Sequence, residues 1–270
     1  MSNLDTFVQS SRPSPVIVTT SQEIRDRGSI FVASVYRATS AEDAKTTVHY
    51  HKNVVHAGKE VYEISAWRCM VLKSGRTGLG GPDDFELRTG FDDGGEQWAG
   101  SKVLKIMQTE GTLDAVVIVS RWSVYSITEL TRTEWNMFIY RFGGTLLGPA
   151  RFKHIETCAS EACHKFRKIE EMEECIQTLT TLDDLLVTLR TELDALTSDA
   201  STGGTNGETA DDGDGISSTP EQRSTIISKP HDYSGIRNTL DLTKARRLIY
   251  ARESAIRSVK TLIARHKDGG

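Results

Sequence analysis

The chain has 270 residues, about 1.8 times the ~150-residue prior for one domain, so it can build one full core and a second, weaker element. Apolar residues make up 37% and charged residues 26%, with a formal net charge of −4, which excludes a globally basic nucleic-acid binder while leaving room for a local basic patch. No apolar run approaches the ~18–20 residues of a membrane span, and Met1–Pro15 has no basic stretch followed by an apolar one, so neither membrane insertion nor secretion is expected and a cytoplasmic setting is.

In chain order, residues 1–13 are polar and read as a flexible leader. Pro15–Thr20 is a short β-rich run, and Ser29–Tyr36 alternates as a second strand. Thr39-Ser-Ala-Glu42 fits a capping box with Thr39 as the cap. The helix it opens carries Ala41, Ala44, Val48 and Val55 on one face and ends near Gly58. Val61–Leu72 is a long strand. A glycine-rich loop, 75–81, leads to a short strand around Phe85–Arg88. Trp98, Leu104, Ile106 and Met107 fall in a helix of about three turns. Leu113–Ser120 is a continuous apolar run of the kind that forms a central strand. Strands mixed with helices without a strict repeat predict an α+β sandwich over 14–155.

Beyond it, 156–197 predicts an acidic amphipathic helix with Ile169, Met172, Ile176, Leu179, Leu182, Leu186, Leu189, Leu193 and Leu196 spaced by threes and fours. Residues 198–231, rich in Ser, Thr, Gly and Asp, predict a disordered linker. Residues 232–270 predict a basic helix with Leu242, Ala245, Ile249, Ile256, Val259 and Ile263 on one face. An acidic helix and a basic helix joined by a linker are expected to pair as an antiparallel, coiled-coil-like hairpin. The alternative for the basic helix is RNA or an acidic partner, although no aromatic stacking platform accompanies its cations.

Motifs of chemistry are few. Gly75-Arg-Thr-Gly78-Leu-Gly80-Gly81 is followed by Pro82-Asp83-Asp84 and a strand rather than a helix, so it reads as a surface connection, not a phosphate cradle. Cys158, Cys163, His164 and Cys175 lie on one helix and point in different directions, so neither a metal site nor, with Cys69, a disulfide framework is expected. His49, His51 and His56 read as solvated. No nucleophile motif stands out and no cofactor is expected. Asp92-Asp93-Gly94-Gly95-Glu96 can either ligate a cation or cap the helix beginning near Gln97, and the spacing favours capping.

The segment Gly90-Phe91-Asp92-Asp93-Gly94-Gly95-Glu96-Gln97-Trp98-Ala99-Gly100, the run Asp114–Ser120 with Arg121-Trp122, and Phe142-Gly143-Gly144-Thr145-Leu146-Leu147-Gly148-Pro149-Ala150-Arg151-Phe152 together resemble the IMPACT family, which includes bacterial YigZ. Ile24–Val32 fits the family's opening strand, so the resemblance covers roughly residues 20–155. Tyr62, Glu63 and Ile64 stand where many members carry a histidine, and Gly95 is an extra glycine before Glu96. Residues 123–141 separate Arg121-Trp122 from Phe142, as a retained intron read in frame or as a true insertion.

The resemblance implies the fold of the second domain of ribosomal protein S5, with a left-handed β-α-β unit. It also implies a non-enzymatic regulator of translation in the amino-acid-starvation response. Larger eukaryotic members compete for the activator of a starvation-responsive kinase through an N-terminal RWD domain, which this short chain is expected to lack. The expected partner is a translation-associated protein or the ribosome, with no membrane and no DNA. Asp92, Asp93, Glu96, Arg121, Gly143, Gly144 and Arg151 are the candidate partner- or phosphate-binding groove. There the glycines allow close backbone approach and Arg121 engages phosphate or carboxylate. The competing reading is a simple turn with Arg121 paired to Asp92 or Asp93. An RNA-binding module and a phosphate-handling enzyme on the same fold are the alternatives.

Overall fold

The structure, a computed structural model, describes residues 13–123, 147–202 and 231–268. It divides into two units, Met1–Arg167 and Lys168–Gly270, and is of mixed α+β class with an antiparallel sheet and long C-terminal helices. The 123–141 insert beyond Ser123, the leader up to Arg12 and most of the 198–231 linker lie outside the described residues.

The first unit is built on strands β1 (Ile17–Thr20), β2 (Ile24–Asp26), β3 (Ser29–Arg37), β4 (Tyr62–Leu72), β5 (Phe85–Asp92) and β6 (Ala115–Ser123). They form one sheet in the order β1-β3-β6-β4-β5, with β2 also paired to β3. The apolar run at 113–120 therefore lies in the middle of the sheet, where both faces are covered. β3 and β4 each run antiparallel to β6 between them. They are therefore parallel to each other, and α1 (Ala41–Tyr50) makes the crossover that joins them. By the same reasoning β5 and β6 are parallel around β4, joined through α2 (Ala99–Thr109).

Successive strand side chains alternate in direction. Phe31, Ala33 and Val35 of β3, Ile64 and Ala66 of β4, and Val117 and Val119 of β6 thus share one face. Val103 and Met107 of α2 cover them, together with Ile155, Cys158, Ala162 and Phe166 from the start of α3 (Ala150–Thr202). On the other face Tyr36, Cys69, Val116 and Ile118 pack with Ala44 and Val48 of α1.

Two local expectations shift. The cap of α1 is Ser40, not Thr39. Ser40 is extended (φ −147°) and its hydroxyl accepts from the Asp43 N–H at 3.0 Å, while Thr39 donates its hydroxyl to the Asp43 carboxylate. After Tyr50 the helix widens into a π turn, His51–Val55. That changes the phase of the helix after His51, which is still buried on the face of Ala44 and Thr47, so Val54 and Val55 face solvent.

In the second unit α3, from Lys168 onward, pairs with α5 (Leu242–Asp268), preceded by the short α4 (Ser234–Thr239). Leu186 and Leu189 bury against Ile256 and Ile263, and Met172 buries against Ile236 and Ala245. The two helices run in the same direction, not antiparallel. Glu171 pairs with Arg246 at 3.4 Å, Asp183 with Arg252 at 2.5 Å and Glu192 with Lys267 at 2.8 Å, so both numbers rise together. An extended chain reaches ~3.3 Å per residue, so a segment as long as 203–230 spans the full length of the pair.

Candidate functional site

The loop between β5 and α2 is held in one shape by its own acids. Asp92 Oδ1 accepts from Gly94 N–H at 2.9 Å, a turn closed by the side chain. Asp93 accepts from two backbone donors at the start of α2, Trp98 N–H at 2.9 Å and Gly100 N–H at 2.8 Å. These two aspartates satisfy helix and turn donors. Gly94 has φ +56°, and a Cβ there would overlap the carbonyl oxygen of Glu63 on β4. The loop lies flat on the sheet only because this residue has no side chain.

Glu96 leaves the loop and turns inward. One carboxylate oxygen takes a hydrogen bond from the Arg121 guanidinium, and the other lies 2.8 Å from Arg151 Nε without hydrogen-bond alignment. Arg121, only 3% exposed, also reaches the Ser29 hydroxyl at 3.4 Å and lies over the rings of Phe31 and Tyr62. Arg151 stacks on Phe152 and donates to the Gly148 carbonyl at 2.8 Å. Three of the expected groove residues, Glu96, Arg121 and Arg151, therefore meet in one buried clamp joining the loop, β6 and the start of α3. Arg121 pairs with Glu96, not with Asp92 or Asp93. Gly143 and Gly144 lie outside the described residues.

Above the clamp the loop presents aromatic surface. Trp98, expected among the apolar residues of the helix, instead precedes it in the left-handed conformation (φ 66°) and is 65% exposed. Phe91 is 48% and Tyr62 45% exposed. Their rings lie close enough to Gly100 and Gly95, respectively, to meet any added Cβ. A tryptophan held at positive φ costs about 1–2 kcal/mol. The sequence signal for it was the pair of aspartates preceding Trp98-Ala-Gly, which ties the turn before the helix begins.

On the opposite face of the sheet, His51 and His56 are not both solvated as expected. His51 is buried, its ring nitrogens held by the Tyr36 hydroxyl at 2.6 Å and the Ser120 hydroxyl at 3.1 Å. Burial pushes its pKa down to about 4 and that of Tyr36 up to about 12. His49 is exposed.

The sequence profile of the Impact N-terminal domain matches residues 27–163. The chain is 32% identical over 144 residues to "Protein IMPACT homolog" of Saccharomyces cerevisiae, covering 53% of this chain and 45% of that protein. It is 29% identical over 139 residues to "Protein IMPACT" of Mus musculus, covering 50% of this chain and 34% of that protein. It thus spans less than half the length of these curated relatives. A solved structure described as the two-domain translational regulator Yih1 aligns at 28% identity with a TM-score of 0.31, covering 57% of this chain and 47% of that one. Among the described residues no helix is long and apolar enough to cross a membrane.

Proposed function

The chain belongs to the IMPACT family, and on that premise we propose that it is a non-enzymatic, cytoplasmic regulator of translation that acts by binding a protein of the translation machinery or the ribosome. The contact face in this reading is the β5–α2 loop, with Trp98 as anchor and the exposed rings of Phe91, near Gly100, and Tyr62, near Gly95, adding to it. The observation that supports it most directly is Trp98: a large aromatic, mostly in water, in a backbone conformation that two Asp93 hydrogen bonds maintain. Aromatic residues presented rigidly are the usual energetic centre of protein interfaces. Glu96, Arg121 and Arg151 serve this face from below, by fixing the loop rather than by touching the partner.

Affinity capture from a translating extract, with and without RNase, tests this reading. Wild-type chain is expected to recover translation factors or ribosomal proteins regardless of RNase. Trp98→Ala is expected to lose roughly 30-fold in affinity for them, the scale of a hot-spot residue, with an unchanged melting temperature. Recovery that disappears with RNase favours the RNA-binding reading of the basic helix. Recovery unaffected by Trp98→Ala removes the loop from the interface.

A further inference from the structure

The face of the sheet beneath α1 carries a polar cluster with no part in the loop described above. His51 opens the π turn and His56 follows it. In an α-helix residues five apart point ~140° away from each other. Here the His56 N–H donates to the His51 carbonyl at 3.0 Å, the wider ring of a π turn, and the two imidazoles meet edge to face with centroids 4.5 Å apart. π turns of this kind recur at functional sites. Glu63 of β4 reaches the same point, its Oε1 2.8 Å from His56 Nδ1. One donor atom from each of the three residues lies within 4.8 Å of the others.

The second oxygen of that carboxylate is the informative atom. Glu63 is 6% exposed, and its Oε2 has no hydrogen-bond partner among the described residues. Buried carboxylate oxygens are almost always satisfied by a donor, a water or a cation. We propose that His51, His56 and Glu63 form a binding site for a divalent transition-metal ion of the zinc type. Two imidazoles and one carboxylate are a donor set that zinc favours and that calcium and magnesium, which take oxygen, do not. Metal–ligand bonds of ~2.0–2.1 Å place tetrahedral donors about 3.3 Å apart, so the donors, now within 4.8 Å, close in around an ion that displaces one of the two hydroxyls from His51. Whichever ring nitrogen of His51 takes the metal, the other keeps a hydroxyl partner, Tyr36 or Ser120. That is the orienting arrangement metal-bound histidines normally have. The ion ties the π turn to β4, the strand on which Gly94 rests.

Titration of the metal-free full chain with Co(II), followed by absorption, tests the site, and Zn(II) competition gives its affinity. The expected result is one equivalent bound with tetrahedral ligand-field bands and no thiolate charge-transfer band. Glu63→Gln and His56→Gln are each expected to weaken binding at least tenfold. Absence of saturable binding, a thiolate band, or a smaller loss in either folded variant overturns the proposal. Should Glu63→Gln fail to fold, the half-buried His56→Gln carries the comparison, and the wild-type spectrum decides by itself whether nitrogen and oxygen or sulfur hold the ion.

Discussion

Gly94 and Glu96 show how single residues set the loop. At Gly94 any side chain both strains a positive φ and overlaps the Glu63 carbonyl, so Gly94→Ala is expected to lower stability by about 2–4 kcal/mol in denaturant unfolding. Glu96→Ala removes the buried carboxylate that Arg121 and Arg151 share, and a loss of about 3–5 kcal/mol is expected in the same measurement. The cysteines give a chemical check. Burial pushes the thiols of Cys69, Cys158 and Cys163 up to about 11, which leaves on the order of one in a thousand as thiolate at pH 8. Mass spectrometry after iodoacetamide at that pH is expected to find Cys175, half-buried in the helix pair, modified first and the other three spared. The capping role of Asp93 was legible in the sequence, because an acid just before a helix meets its unpaired backbone donors, whereas Asp92 closes its own turn on Gly94 instead. The outward turn of Val55 was not. It depends on a π turn whose extra residue per ring leaves no mark in hydrophobic spacing, whereas His51, seven residues after Ala44 and four after Thr47, keeps the α-helical phase of the buried face.

Elements were read best where both faces are covered. β6 was recognisable because nothing polar interrupts Ala115–Val119, whereas β5 extends to Asp92, beyond the expected Arg88, as a strand with one neighbour and exposed Phe85, Leu87 and Phe91. The helix seam was equally legible from its three-four spacing, but its direction was not, since complementary charge and an apolar stripe are satisfied by either orientation. What sets the direction is the detail at Arg252. It occupies the seam row between Ile249 and Ile256, and Asp183 holds it together with the Tyr233 hydroxyl. Asp183→Ala removes the carboxylate that both share and is expected to cost the helix pair about 1–3 kcal/mol by thermal unfolding. A short thiol cross-linker is expected to join Glu171→Cys to Arg246→Cys, and not Glu171→Cys to Lys267→Cys, in a Cys175→Ser background. The exposed ion pairs themselves contribute only tenths of a kcal/mol each.

Across the whole molecule, burial is uneven. The two clusters on the faces of the sheet hold most of the fully enclosed side chains, while the helix pair relies on a thinner row of partly covered leucines and isoleucines. Amide exchange is therefore expected to be slowest in β3, β4 and β6 and markedly faster in α5, as followed by mass spectrometry. The same-direction helix pair also sets a minimum length for the segment between its members. From Asp183, beside Tyr233, to Thr202 the helix rises about 28 Å, which an extended chain covers in roughly nine residues. Shortening 203–230 below that length makes it impossible for α5 to reach its own α3. The helix would then find the equivalent groove on a second copy, and the shortened protein would become a domain-swapped dimer.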